Sequence, residues 1–130
     1  ERLLEKYGMS DCKAVSTPSP ESNHLSKADC PIPGGEDEHE MRQFDYRGVV
    51  GSLNYLATTS RPEIAYVAHT LSRFVNNPGL LHWQAAKHVL RYLQGTRSQA
   101  MIYRSDHDGI LLHGFSDADW AGDLDTRRST

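Results

Sequence analysis

The chain has 130 residues, 38% of them hydrophobic and 24% charged, the size and apolar content of one ordinary soluble domain. Its formal net charge of -3 gives no global attraction to nucleic acid, so any such binding must come from a local basic face. Cys12 and Cys30 stand in polar stretches without a CxxC pair, and there is no leader or apolar run of about 18 residues; nothing argues for a disulfide framework, a zinc ribbon, secretion or a membrane partner.

Leu3, Leu4 and Tyr7 followed by Gly8 predict the last turns of a helix with a glycine stop, so residues 1–9 are expected to end an element that starts upstream. The chain opens with Glu1 already in helical pattern and stops at Thr130 without a terminating signal, and both ends are expected to be cut. Residues 10–41 shift to Ser, Pro, Gly and acidic residues, as in TPSPES and PIPGGEDEHE, and predict a solvated linker that either wraps the surface or separates two packed parts. From about Arg42 to Gly95 three helices are expected. Phe44, Val49, Val50, Leu53 and Leu56 recur at helical spacing in the first. Ser60 with Pro62 predicts the start of the second, whose stripe is Ile64, Val67, Ala68, Leu71, Phe74 and Val75. Asn77 with Pro78 predicts the start of the third, with Trp83, Ala86, Val89, Leu90 and Leu93 on its apolar face and Gly95 as its stop. Residues 99–130 change period. Met101 and Tyr103, a turn at Asp106 to Gly109 and the apolar run Ile110 to Phe115 predict a β-hairpin. The expected class is α+β: a three-helix unit within 42–98, then a hairpin opening an incomplete sheet.

Three blocks carry a resemblance: YRGVVGSLNYLATTSRPEIAYVAHTLSRF, NPGLLHWQAAKHVLRYLQGT and LLHGFSDADWAGDLDTRRST, which together span Tyr46 to Thr130, with GMSDCKAVSTP preceding them. In order and spacing they resemble the Pol polyprotein of copia-type LTR retrotransposons. The resemblance implies the C-terminal part of a reverse transcriptase, with a helical thumb and connection region, running into the first strand of a truncated RNase H domain. It also implies that the polymerase aspartates, in a Tyr-x-Asp-Asp context absent from this chain, lie upstream. RNase H chemistry uses two divalent ions held by several carboxylates. By resemblance Asp117 is the first of those ligands, a catalytic and metal-binding residue only in the complete parent, where Mg2+ is the cofactor; the segment alone is expected to be inactive and to hold no ion tightly. The implied partners are an RNA/DNA hybrid or duplex and the rest of the polyprotein, and the implied location is intracellular, in cytoplasmic virus-like particles and the nucleus.

On the third helix Lys87 and Arg91 are four residues apart and share a face close to His88, a spacing suited to successive phosphates but equally to a solvated helix face. Arg61 and Arg73 are weaker candidates for the same role. Trp83 and Phe74 fall in apolar registers and are expected in the core rather than stacked on bases. His82 and His88 lie on different sides of the helix, which argues against a shared metal. Asp119, Asp123 and Asp125 fit a polar loop around Trp120 and Gly122; a calcium loop started at Asp117 would put Ala121 and Arg128 at ligand places. Two functions from different classes stand side by side: a duplex-gripping part of a polymerase with RNase H, and a degenerate or co-opted remnant that binds nucleic acid or protein weakly.

Overall fold

The computed structural model describes residues 1–19, 25–102, 114 and 123–127. Among these the elements are α1 (Arg2–Lys6), a 3-10 turn (Lys27–Asp29), α2 (Glu36–Met41), α3 (Tyr46–Thr59), a second 3-10 turn (Pro62–Ile64), α4 (Ala65–Ser72) and α5 (Leu80–Gly95). No strand occurs among the described residues, so the α+β expectation is corrected to an all-α architecture there. The physical reason lies at Gln99 to Ile102, where the hairpin was to open. The Gln99 N–H donates to the Thr96 carbonyl at 3.0 Å, so the backbone there turns off the end of α5 instead of entering a ladder, and Met101 and Ile102 are 45% and 74% exposed. The rest of the expected hairpin, Tyr103 to His113 and Phe115, lies outside the described residues.

Helix α1 ends as its glycine predicts. Gly8 takes φ +64°, the Gly8 N–H donates to the Glu5 carbonyl and the Met9 N–H to the Leu4 carbonyl, which together close the carbonyl end of the helix. Helix α3 starts at Asp45, whose carboxylate accepts the Gly48 N–H at 3.0 Å. The same carboxylate accepts from Lys6 and Tyr7, each at 3.0 Å, and so ties α1 to the start of α3. Ser60 closes α3 instead of capping the next helix, and Pro62 opens the following 3-10 turn at a position where its missing N–H costs nothing.

The core lies among α3, α4 and α5. Val49, Val50 and Leu53 from α3, Ile64, Ala68 and Leu71 from the second 3-10 turn and α4, and Ala86, Val89 and Leu90 from α5 are at most 1% exposed. Alanines at 68 and 86 let the helix axes approach while the branched residues fill the space between. Two polar links cross this core: the buried Tyr46 hydroxyl donates to the Leu71 carbonyl at 2.9 Å, and the Asn54 amide donates to the Ser72 hydroxyl at 2.7 Å. Trp83 stacks on Phe44 with ring centroids 4.8 Å apart, so the two aromatic residues Trp83 and Phe74 are core, whereas Tyr55 is 68% exposed.

Helix α5 begins two residues later than the sequence suggests. The Asn77 side chain is committed to the Pro31 carbonyl at 3.0 Å, and Gly79 becomes the cap. A Cβ at Gly79 would lie 2.0 Å from the Asp29 carbonyl oxygen, so the first 3-10 turn rests directly on glycine backbone. His82 completes this seam. It is fully buried, its Nδ1 accepts the Gly79 N–H at 2.9 Å, and its ring lies against Phe74 with centroids 4.0 Å apart. The ring is therefore neutral with the proton on Nε2, which faces the Ser26 backbone outside good hydrogen-bonding geometry. Burial pushes its pKa below the ordinary value of 6.5, against the opposing pull of Asp29 and Asp125.

At the other end, Gly95 is the last helical residue and not a left-handed stop. Its missing Cβ admits Ala14, whose Cβ would be 2.9 Å from one at Gly95, and Thr96 closes the helix by donating to the Tyr92 carbonyl at 2.8 Å.

Two outcomes test this seam. Gly79→Ala must displace the Asp29 backbone and is expected to cost about 1–3 kcal/mol in denaturant unfolding; an unchanged midpoint would contradict the close approach. Because the folded pKa of His82 is depressed, the unfolded chain binds the extra proton below 6.5, and stability is full above that pH and falls as pH drops through it. Melting temperature is expected to decline between about pH 7.5 and about pH 5.5, with a shallower decline in His82→Gln; equal slopes would remove His82 as the cause.

Candidate nucleic-acid interface

Helix α5 buries Trp83, Ala86, Val89, Leu90 and Leu93 on one side, which leaves Lys87, His88 and Arg91 along its edge, all half-buried. Their partial burial has a specific cause. Residues 10–17 run antiparallel to α5 as a strap, and three polar side chains, spaced three apart on the helix, each meet one of its main-chain carbonyls. Gln94 donates to Ser10, the Arg91 Nε donates to Lys13 at 2.7 Å, and His88 Nε2 lies 3.0 Å from the Thr17 carbonyl. The start of the Ser- and Pro-rich segment thus wraps the helices. Leu25, Pro31 and Met41 are buried anchors in the remainder of it.

The arrangement is chemically suited to anions but partly engaged. The Arg91 bond to Lys13 uses one of the five guanidinium N–H groups. Lys87 and Arg91 sit on neighbouring turns of one rigid helix, as placed by their four-residue spacing. Arg61 and Arg73 are committed elsewhere. Arg61 pairs with Glu63 at 2.6 Å, bonds the Thr96 hydroxyl and lies over the Tyr92 ring. Arg73 pairs with Asp123 at 2.7 Å and Asp125 at 3.1 Å.

That second pairing places the acidic tail. Asp125 also accepts the Lys27 N–H at 3.0 Å, so residues 123–127 are pinned between α4 and the first 3-10 turn. Hydrogen bonding from the Thr126 hydroxyl first, then from Arg73 and the Asp125 N–H, holds the Asp123 carboxyl down at about 2. Both carboxylates serve structural pairing, in keeping with a polar loop. Asp117, Asp119 and Trp120 lie outside the described residues, and the structure brings neither Lys87 nor Arg91 into a described relation with them. Among the described residues no three His, Cys, Asp or Glu side chains converge on a metal position, and no helix is long and apolar enough to cross a membrane.

The sequence reading missed His82 as a backbone acceptor, although its place three residues after Gly79 is the place from which a helix side chain reaches back to its cap. It also missed the bond between Arg73 and the tail, for which a separation of 50 positions leaves no local signal.

No family model matches the chain, and no solved structure matches it. Over all of its length it is 42% identical to the retrovirus-related Pol polyprotein from transposon TNT 1-94 of Nicotiana tabacum, of which it spans 10%. Over 98% of its length it is 40% identical to the retrovirus-related Pol polyprotein from transposon RE2 of Arabidopsis thaliana, of which it spans 8%. Over 69% of its length it is 43% identical to secreted RxLR effector protein 161 of Plasmopara viticola, covering 63% of that protein. The chain is therefore similar, end to end, to one segment of retrotransposon polyproteins. In particular, it corresponds to about a tenth or less of the Pol polyproteins of these two plant elements.

Proposed function

We propose that the chain is a segment of a copia-type Pol polyprotein from the end of its reverse transcriptase to the start of its RNase H domain. In this reading α5 lies beside the template–primer duplex, and Lys87 and Arg91 neutralise backbone phosphates. Phosphate contacts are sequence-independent and electrostatic, so they need cations on a rigid element rather than a base-reading surface. In the complete enzyme Asp117 would be the first of the carboxylates that hold Mg2+, and the bound metal would supply Lewis-acid chemistry for phosphodiester hydrolysis. The partners are then an RNA/DNA hybrid and the remainder of the polyprotein, and the working location is the virus-like particle and the nucleus. The observation that carries the proposal is the 42% identity to a Pol polyprotein across the entire chain.

A second reading rests on a different observation, the 43% identity to a secreted effector across 90 residues. It makes the helical unit a module that has left polymerase chemistry behind and binds nucleic acid or protein through its helices.

In a complete polyprotein Asp117→Asn keeps side-chain shape while weakening metal ligation. It is expected to abolish RNA cleavage in hybrids and spare DNA synthesis, and retained cleavage would refute the role of Asp117. Joint replacement Lys87→Ala and Arg91→Ala is expected to weaken duplex binding and flatten its log–log salt slope by about 1.8, the loss of two phosphate contacts. An unchanged slope would leave both as ordinary helix surface.

A further inference from the structure

Residues 123–127 form a turn that closes on itself. The Asp125 N–H donates to the Asp123 carboxylate at 3.0 Å, the Thr126 hydroxyl donates to the same carboxylate, and the Arg127 N–H donates to the Asp123 carbonyl at 2.8 Å. The turn presents two carboxylates together, and the helical unit takes both. One guanidinium nitrogen of Arg73, at the end of α4, donates to Asp123 at 2.7 Å and to Asp125 at 3.1 Å, while the Lys27 N–H donates to the two oxygens of Asp125 at 3.0 and 3.2 Å. An ion pair in open solvent contributes little. Here the Asp123 and Asp125 side chains are only 11% and 12% exposed, so loss of the cation leaves two covered carboxylates beside one another without their charge partner. The contacts join positions 50 and 98 apart in the sequence, and they fix where the tail meets the helices.

We propose that Arg73 is a positioning residue: together with the Lys27 N–H it clamps the turn at Asp123 and Asp125 to the helical unit and thereby limits the reach of Asp117. Asp117 stands six positions before Asp123, and that length of chain spans at most about 22 Å when fully extended. A clamp at Asp123 therefore confines Asp117 to a distance equal to the rise of about six nucleotides along one strand of a duplex. Arg73 meets no substrate in this scheme; it acts through the chain that carries the carboxylate. Helices α3, α4 and α5 share one core, so the clamp on α4 also fixes the turn relative to α5. A duplex held on α5 is then cut at a set distance from the primer end. The part of this inference that concerns cutting rests on the reading of Asp117, Lys87 and Arg91 proposed above; the clamp itself does not.

Amide hydrogen exchange in the chain tests the clamp. In Arg73→Gln the Lys27 N–H is expected to exchange about tenfold faster, the loss of one charge-assisted contact, while the amides of the α5 core keep their rates. Asp125→Asn, which keeps the side-chain shape and removes one charge, is expected to act in the same direction. An unchanged Lys27 rate in both variants overturns the clamp. In the complete polyprotein the positions of RNA cuts are then mapped on a hybrid with a fixed primer end. The unsubstituted protein is expected to show a sharp maximum in cut position, Arg73→Gln to lose it, and Arg73→Lys, which keeps the charge, to restore it. A maximum as sharp in Arg73→Gln as in the unsubstituted protein overturns the positioning role, and so does an equal loss in Arg73→Lys. The reading of Asp117 fails on a different result, cleavage retained in Asp117→Asn, which leaves the exchange measurement untouched.

Discussion

The burial of α5 is the constraint around which the described molecule is arranged. Its sixteen residues include eight buried ones, and those eight do not fit on one narrow stripe. Trp83, Ala86, Val89, Leu90 and Leu93 meet α3, α4 and Phe44, while His82 and Tyr92 need cover from segments with little secondary structure of their own. The first 3-10 turn covers the helix start through Gly79, and the strap covers its flank through carbonyl contacts. Both solutions use backbone against backbone or backbone against a polar side chain. This is why a segment poor in apolar residues can still be held on the fold.

The same constraint decides what was legible in the sequence. The apolar stripes of α3, α4 and α5 are periodic because each helix packs one face, and helices occur in those stretches. The start of α5 was misplaced because Asn77 and Pro78 form a good local signal, whereas Gly79 is required by a carbonyl fifty residues earlier in the chain. Gly95 was read as a stop by the usual reason for glycine after a helix, but here its smallness serves the approach of Ala14. The strap left no pattern at all, since bonds to main-chain carbonyls ask nothing of the residues that supply them. The hairpin failed differently. Alternation at Met101 and Tyr103 describes a strand's two faces but does not decide the backbone, and Met101 and Ile102 are in no strand.

For the candidate site, the four-residue spacing correctly placed Lys87 and Arg91 on neighbouring turns of one helix; it did not reveal that Arg91 also anchors the strap. Among the described residues Arg61 is ion-paired with Glu63, and Arg73 with Asp123 and Asp125. Arg61 and Arg73 thus hold the structure through ion pairs, whereas Arg91 holds the strap through a main-chain carbonyl. Similarity across the whole chain to a tenth of a Pol polyprotein gives this helical unit its setting, and similarity over 90 residues to a secreted effector shows a related stretch in a different kind of protein.

The most direct test of the account is to sequence the transcript on both sides of this segment and translate it in frame. The account predicts a Tyr-x-Asp-Asp motif upstream of Glu1 and further spaced Asp and Glu residues downstream of Thr130, as the proposed role of Asp117 requires. Stop codons or unrelated sequence on both sides would contradict it and leave the helical unit as a binding module only.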